Sequence, residues 1–407
     1  MKTRILKIAL AVLFFALLAL PLLRFVGARE TWTDLAGWER PVELPKLSLS
    51  TFTNRQFQSA LTEEYSKKFF LRQSALKTAL QLKDWANLGL FHAGYSESIH
   101  EGRDGVLFER PYAEFHFGEP DRPLDRAKYA KVLGTLKEID AYCRSIGAAF
   151  VYVTVPDKGQ VYPEYQPRWY DWFWTRHEND IQGKMSELCA KEGLLAFDAR
   201  RFLLTEKAKT DKWLYPPFGT HLNALGNALL LEAVVGRLAE AGRLELKVNP
   251  LRETVPIDRP WNADDELMLL FNTWDMRRLG ENVRYAPRYA ETNVVMNAGS
   301  AIFFGDCFRT QLAVTARESG LFAKDKVVAC ERHGRQKAEG LKGVAKDLRL
   351  VTMVFQSFNT ARLDEREAEI RSIFEALKEA RRTADSPAAM PFVTILPGKE
   401  PVCVRQD

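Results

Sequence analysis

The chain has 407 residues, 46% of them hydrophobic and 27% charged, with 24 Gly and 19 Pro. That length suits two or three folding units, or one large α/β unit with attachments, and the composition excludes a wholly disordered, collagen-like or coiled-coil chain. The formal net charge is +5, but Lys2, Arg4, Lys7 and Arg24 lie in a first segment without acids, so the remainder is close to neutral and carries no nucleic-acid footprint.

Residues 1–28 begin with basic residues and continue as an apolar run from Ile8 to Leu23. The run is longer than an ordinary signal-peptide core and short for a membrane span, which Arg24 can extend by snorkelling. The segment reads as a retained signal anchor with its basic end inside, although Val26-x-Ala28 also offers a cleavage site. Either way the bulk of the chain is expected outside the cytoplasm.

Residues 29–100 read as a helical arm, with Phe57, Leu61, Tyr65 and Phe69 at helical spacing. A tight turn at Gly102-Arg103-Asp104-Gly105 precedes a short strand, Val106-Leu107-Phe108. From Asp125 helices and strands alternate. A helix carrying Tyr129, Val132, Leu136, Ile139 and Cys143 runs to Gly147, and Ala149 to Val155 is a continuous apolar strand of the kind buried in parallel sheets. The pattern repeats with a helix Ile181–Ala190, Gly193 and the strand Leu194–Phe197. A third helix spans Leu222–Ala241. Strands follow at Ala301–Phe304, Lys326–Cys330 and Leu350–Phe355, then a charged helix Asp364–Arg382 and an irregular tail over 384–407. The alternation predicts an α/β domain over 101–383, with a mostly parallel sheet covered by helices on both faces. The basic stretch near Arg332 to Lys346 reads as a solvated face. The aromatics Tyr165, Trp169, Tyr170, Trp172, Phe173 and Trp174 read as core, interface or a sugar-stacking platform.

Five cysteines occur. Cys143 and Cys189 each lie four residues before a helix-ending glycine, so parallel neighbouring helices would bring them to equivalent heights, where a disulfide could form. Cys307 lies in Phe304-Gly305-Asp306-Cys307-Phe308, between an apolar strand and a helix. Such a turn exposes its central residue at the sheet edge, where backbone N–H groups around Gly305, Asp306 and Phe308 can stabilise an oxyanion and the helix terminus favours a thiolate. The same pattern also fits a small buried cysteine near a helix start. Of six histidines none forms a metal-binding pattern, and no metal or dissociable cofactor is indicated. His221, in Gly219-Thr220-His221-Leu222-Asn223 just before a helix, is a candidate general base. Asp157 and Lys158, at the end of a strand, either line a cleft or form a loop salt bridge.

These segments, in this order, resemble the alginate O-acetyltransferase family of AlgJ/AlgX type, with its SGNH-hydrolase-like, flavodoxin-like α/β domain. Glu101 to Phe108 is similar to the family's G-x-D-G-W-L-F turn, Val155-Pro156-Asp157-Lys158 to its V-P-D-K strand end, Gly219 to Gly226 to its D-x-H-W segment, and Gly305-Asp306-Cys307-Phe308 to its G-D-S-[FY] nucleophile turn. The resemblance covers about Leu47 to Arg382, and the order, histidine before nucleophile, is the family's permuted one. It implies an acyltransferase anchored to the inner membrane on the periplasmic side, acting in O-acetylation of an extracellular polysaccharide. A polytopic membrane-bound O-acyltransferase would supply the acetyl group and an exopolysaccharide would accept it. It further implies Cys307 as nucleophile, His221 as base, and Asn359 and Arg362 as substrate contacts. Three departures fall on the chemistry: Cys307 replaces a serine, Gly219 replaces the aspartate that orients the histidine, and Leu222 replaces a tryptophan. Asp306 and Asp275 are candidates to replace the missing carboxylate, though the sequence places neither beside His221. Two other functions share this cleft: a catalytically degenerate component that binds polysaccharide or scaffolds its secretion machinery, and a carbohydrate acetyl esterase.

Overall fold

The computed structural model describes residues 99–118, 124–167, 180–259, 261, 264–269, 283–330 and 336–384. The expected signal anchor, helical arm and tail, and most of the aromatic group, lie outside the described residues apart from the end of the arm at 99–100. Nearly all described residues belong to one compact unit, Ser98–Leu267 with Gly280–Glu400; a second grouping contributes Met268 and Leu269 to them. Among the described residues no helix is long and apolar enough to cross a membrane.

Two short strands, β1 (Ile99–Glu101) and β2 (Leu107–Glu109), pair antiparallel around the Gly102 turn, where Asp104 takes a left-handed conformation. The centre of the unit is a five-stranded sheet of β3 (Ala149–Val155), β4 (Ala196–Asp198), β7 (Ser300–Gly305), β8 (Val327–Ala329) and β9 (Leu348–Gln356). A separate antiparallel pair is formed by β5 (Leu251–Pro256) and β6 (Tyr285–Tyr289), which the sequence patterns did not announce.

The strand order is β4-β3-β9-β7-β8 and every pairing is parallel. Counted from β7 and continued cyclically, β7, β8, β9, β3 and β4 become first to fifth, and the spatial order reads 2-1-3-4-5. That is the flavodoxin-like order, begun at a different strand. The permutation places the switch point between β7 and β9, and open α/β sheets bind ligands at the carboxyl ends of the strands there.

Pleat alternation divides the core in two. Val151, Val153 and Val155 of β3, with Ala301 and Phe303 of β7, face the helices Ala224–Glu240 and Phe308–Glu318. Phe150, Tyr152, Ile302 and Phe304 face the helices Arg126–Ser145, Ile181–Lys191 and Glu367–Ala384. Helices therefore cover both faces, as expected of strands that read as unbroken apolar runs.

Two expectations need correction and a third gains detail. Cys143 and Cys189 are separate thiols. Both are buried in the apolar layer between helices and sheet, and burial pushes both thiols up to about 12. In the basic stretch Lys342 and Lys346 are exposed, as a solvated face requires, while the helix Gln336–Ala345 within it buries Leu341, Val344 and Ala345. The strand expected at Leu194–Phe197 is instead Ala196–Asp198, and its last residue, Asp198, caps the helix Ala199–Lys207 by accepting from the N–H of Arg200.

Candidate active site

The turn after β7 is built around Gly305. Its φ of 131° is barred to other residues, and a Cβ there would stand 1.9 Å from the Val354 carbonyl oxygen on β9. The chain then bends so that Asp306 becomes fully buried and Cys307, half-buried, occupies the N-cap of the helix Phe308–Glu318. Asp306 accepts from the N–H of Phe308 at 3.2 Å, from the N–H of Gln356 at 2.5 Å and from the Asn359 amide at 3.0 Å. Asp306 thus ties the nucleophile turn to the end of β9. Arg309 donates to the carbonyls of Gly305 and Asp306 from the other side.

The oxyanion reading of this turn changes in detail. The Asp306 N–H donates to the Val354 carbonyl and the Phe308 N–H to the Asp306 carboxylate, so both are engaged within the fold. What the turn itself offers an anion at Cys307 is the positive end of an eleven-residue helix.

His221 is 1% exposed. Asn223 caps the following helix by accepting from the Gly226 N–H and donates to the Trp213 carbonyl. Gly226 lets that helix start against the chain, since a Cβ would lie 2.5 Å from the Leu214 carbonyl oxygen. The imidazole lies beside the Phe308 ring, with centroids 4.6 Å apart, which brings it to the residue directly after Cys307.

The carboxylate for this histidine is Glu266, which no sequence pattern indicated. Its Oε1 is 2.6 Å from His221 Nδ1 and accepts from the backbone N–H groups of Thr220 at 2.8 Å and His221 at 3.1 Å. A carboxylate at Nδ1 holds the ring proton there and directs the Nε2 lone pair away from it. Glu266 is itself held in place. The Leu267 N–H donates to the Phe218 carbonyl, Asp265 accepts from Nε and Nη2 of Arg284, and the Trp261 indole donates to Glu318 on the helix that follows Cys307. Asp306 is therefore not the substitute for the missing aspartate, being committed to Gln356, Asn359 and Phe308; Asp275 lies outside the described residues. The signal for Glu266 is weak, one acid among Asp264, Asp265 and Glu266 in a segment far from His221 along the chain.

The residues expected to touch substrate sit differently. Lys158 is 2% exposed, and its ammonium donates to the carbonyls of Pro216 at 3.2 Å, Pro217 at 3.0 Å and Gly219 at 2.6 Å, beneath the loop that carries His221. Burial draws this lysine down to about 7, opposed by Glu266 and Glu109. Asp157 is likewise buried. It caps the turn Lys158–Val161 and accepts from the Ser357 hydroxyl, and burial raises it to about 6 against those hydrogen bonds. Asn359 is turned inward to Asp306, and Arg366 donates to its amide oxygen. Arg362 alone of these four reaches the surface, lying over the Phe358 ring. Among the described residues no group of three or more His, Cys, Asp or Glu is arranged to hold a metal ion.

Fold and site together define an α/β protein with a cyclically shifted flavodoxin-like sheet and a thiol, an imidazole and a carboxylate at its switch point. No family model and no curated protein matches the chain. Among solved structures it is similar to the O-acetyltransferase domain of Pseudomonas putida AlgJ, at 13% identity and a TM-score of 0.43 over 66% of this chain and 98% of that one. It is similar to Pseudomonas aeruginosa AlgX at 10% identity and a TM-score of 0.44, over 69% of this chain and 67% of that one. Bacillus cereus PatB1 with a sulfonyl adduct overlaps at 9% identity and a TM-score of 0.41, over 64% and 94%. Overlaps of this size assign no activity.

Proposed function

We propose that the chain is an exported acyltransferase that passes an acetyl group to hydroxyls of an extracellular polysaccharide through a thioester at Cys307. The observation that carries this reading is the buried His221–Glu266 pair, set beside the turn that presents Cys307. Nε2 takes the thiol proton as Sγ attacks the acyl carbonyl, and the imidazolium, held by Glu266, returns it to the departing alcohol. In the second half an acceptor hydroxyl gives its proton to Nε2 and attacks the thioester carbonyl, and the C–S bond breaks as the imidazolium passes that proton to sulfur, which restores the thiol and the neutral imidazole. With water as acceptor the same steps make an esterase.

The helix Phe308–Glu318 favours negative charge at Cys307 throughout. A membrane-bound acyl donor, a periplasmic location and an acceptor contact at exposed Arg362 complete the proposal. Glu266 also counts against the degenerate reading, since that reading leaned on loss of the orienting carboxylate.

The test is intact-mass analysis after exposure to a small acetyl ester. The expected result is a single acetyl adduct that maps to Cys307 and is absent from Cys307→Ala and His221→Ala. Hydroxyl-bearing oligosaccharides should then discharge it faster than water does. No adduct in the wild-type protein would overturn the enzyme reading and favour a polysaccharide-binding component.

A further inference from the structure

The buried polar groups around His221 extend beyond the residues that the proposed chemistry uses. Glu109, at the end of β2, is 5% exposed and accepts from the Thr220 hydroxyl, while the Thr220 N–H donates to Glu266. Lys158 closes the arrangement from below. Its ammonium binds three carbonyls of the loop before His221, lies 5.1 Å from the Phe108 ring centroid, and is faced by Glu109 and Glu266.

The charged groups that act on it are Glu109 from β2 and Glu266 from the short helix Glu266–Leu269; the loop it clasps carries His221, and Asp157, next to it in the chain, is turned to Ser357. Beyond Phe108, His100 stacks on that ring and bonds to Gln166. Glu266 on the ring, with Glu109 one residue away on Thr220, would by itself hold the ring proton tightly and blunt it as a base, and the ammonium form of Lys158, clasping the same loop, offsets that pull.

We propose that Lys158 is a positioning residue for His221: it fixes the backbone that presents the imidazole and counterbalances Glu109 and Glu266, so that the ring can both take and release a proton. The catalytic meaning rests on the reading of His221 as base, but the electrostatic coupling does not. A lysine placed only to hold the loop would be replaceable by any neutral donor without altering how the ring titrates.

The experiment is an NMR titration of the His221 imidazole in the full-length protein with labelled histidine, assigned by comparison with His221→Ala. Lys158→Gln, which keeps an amide donor for the carbonyls, and Lys158→Met are expected to raise the His221 pKa by about one pH unit. Glu109→Gln keeps the acceptor for Thr220 and is expected to lower it. An unchanged His221 pKa in a folded Lys158 variant overturns the proposal. If both Lys158 variants fail to fold, an unchanged value in Glu109→Gln overturns it instead. Acetyl labelling of the wild-type protein separates the two ideas, because an absent adduct rejects the acyl-transfer reading while the titration still decides the coupling.

Discussion

At the scale of single residues, the site turns on where one carboxylate comes from. Gly219 cannot orient the imidazole, and Glu266 does so from a segment pinned by Phe218, Arg284 and Trp261. Glu266→Gln keeps an acceptor for the two backbone N–H groups but removes the charge that supports an imidazolium. We expect Cys307 acetylation to slow by up to about 10⁴-fold, the size of effect seen when a triad carboxylate is neutralised, with a smaller loss if a thiol needs less help than a serine hydroxyl. Single-turnover labelling rates against a wild-type control check this. Asp306→Asn should act differently, by loosening the turn, because Asp306 accepts three hydrogen bonds there and makes none to His221.

At the scale of elements, the strand–turn–helix around Cys307 is held by sterics and by buried hydrogen bonds. Gly305→Ala adds a Cβ 1.9 Å from a carbonyl oxygen on the central strand at a φ of 131°. The expected cost exceeds about 3 kcal/mol, so thermal melting should show a large fall in midpoint or no folded protein at all. Asn359→Leu removes one donor from Asp306 and leaves Arg366 without its amide acceptor, an expected loss of about 1–3 kcal/mol by denaturant titration. The helix-end cysteines make a third test. Cys143, Cys189 and Cys330 are buried, and the first two thiols are pushed up to about 12. Native alkylation should mark Cys307 in preference to these three, and a reductant should leave the melting midpoint unchanged.

At the scale of the whole unit, acid stability depends on how the last helix is moored. Glu367 binds Lys131, Arg371 and Thr135, joining the helix Glu367–Ala384 to Arg126–Ser145, and these partners lower its carboxyl from 4.5 to about 2. Between those values the unfolded chain binds the proton and the folded one does not, so this stabilisation is full above about 4.5 and is lost as pH falls through about 2. Glu367→Gln should flatten the stability–pH curve in that window and leave its slope near neutrality unaltered, as measured by denaturant midpoints across pH.

The division between what the chain spells out and what the fold decides follows the range of the interactions. Helices and parallel strands were legible because their burial is written locally, in the apolar run Ala149–Val155 and the helical spacing before Gly147 and Gly193. The turn at Gly305 and the prominence of Cys307 and His221 were legible for the same reason. Glu266 was not, because its partner lies 45 positions away and only tertiary packing joins them. Lys158 and Asp157 read as lining a cleft or forming a loop salt bridge, because polar groups at strand ends usually meet solvent, and the resemblance implied Asn359 as a substrate contact. The structure turns them inward, where buried carbonyls, a hydroxyl and a carboxylate need partners and make burial of those groups affordable. The cysteine pair shows the converse limit: matching distances from two helix ends do not fix how two side chains meet in three dimensions, and both thiols are buried and unjoined in the apolar layer.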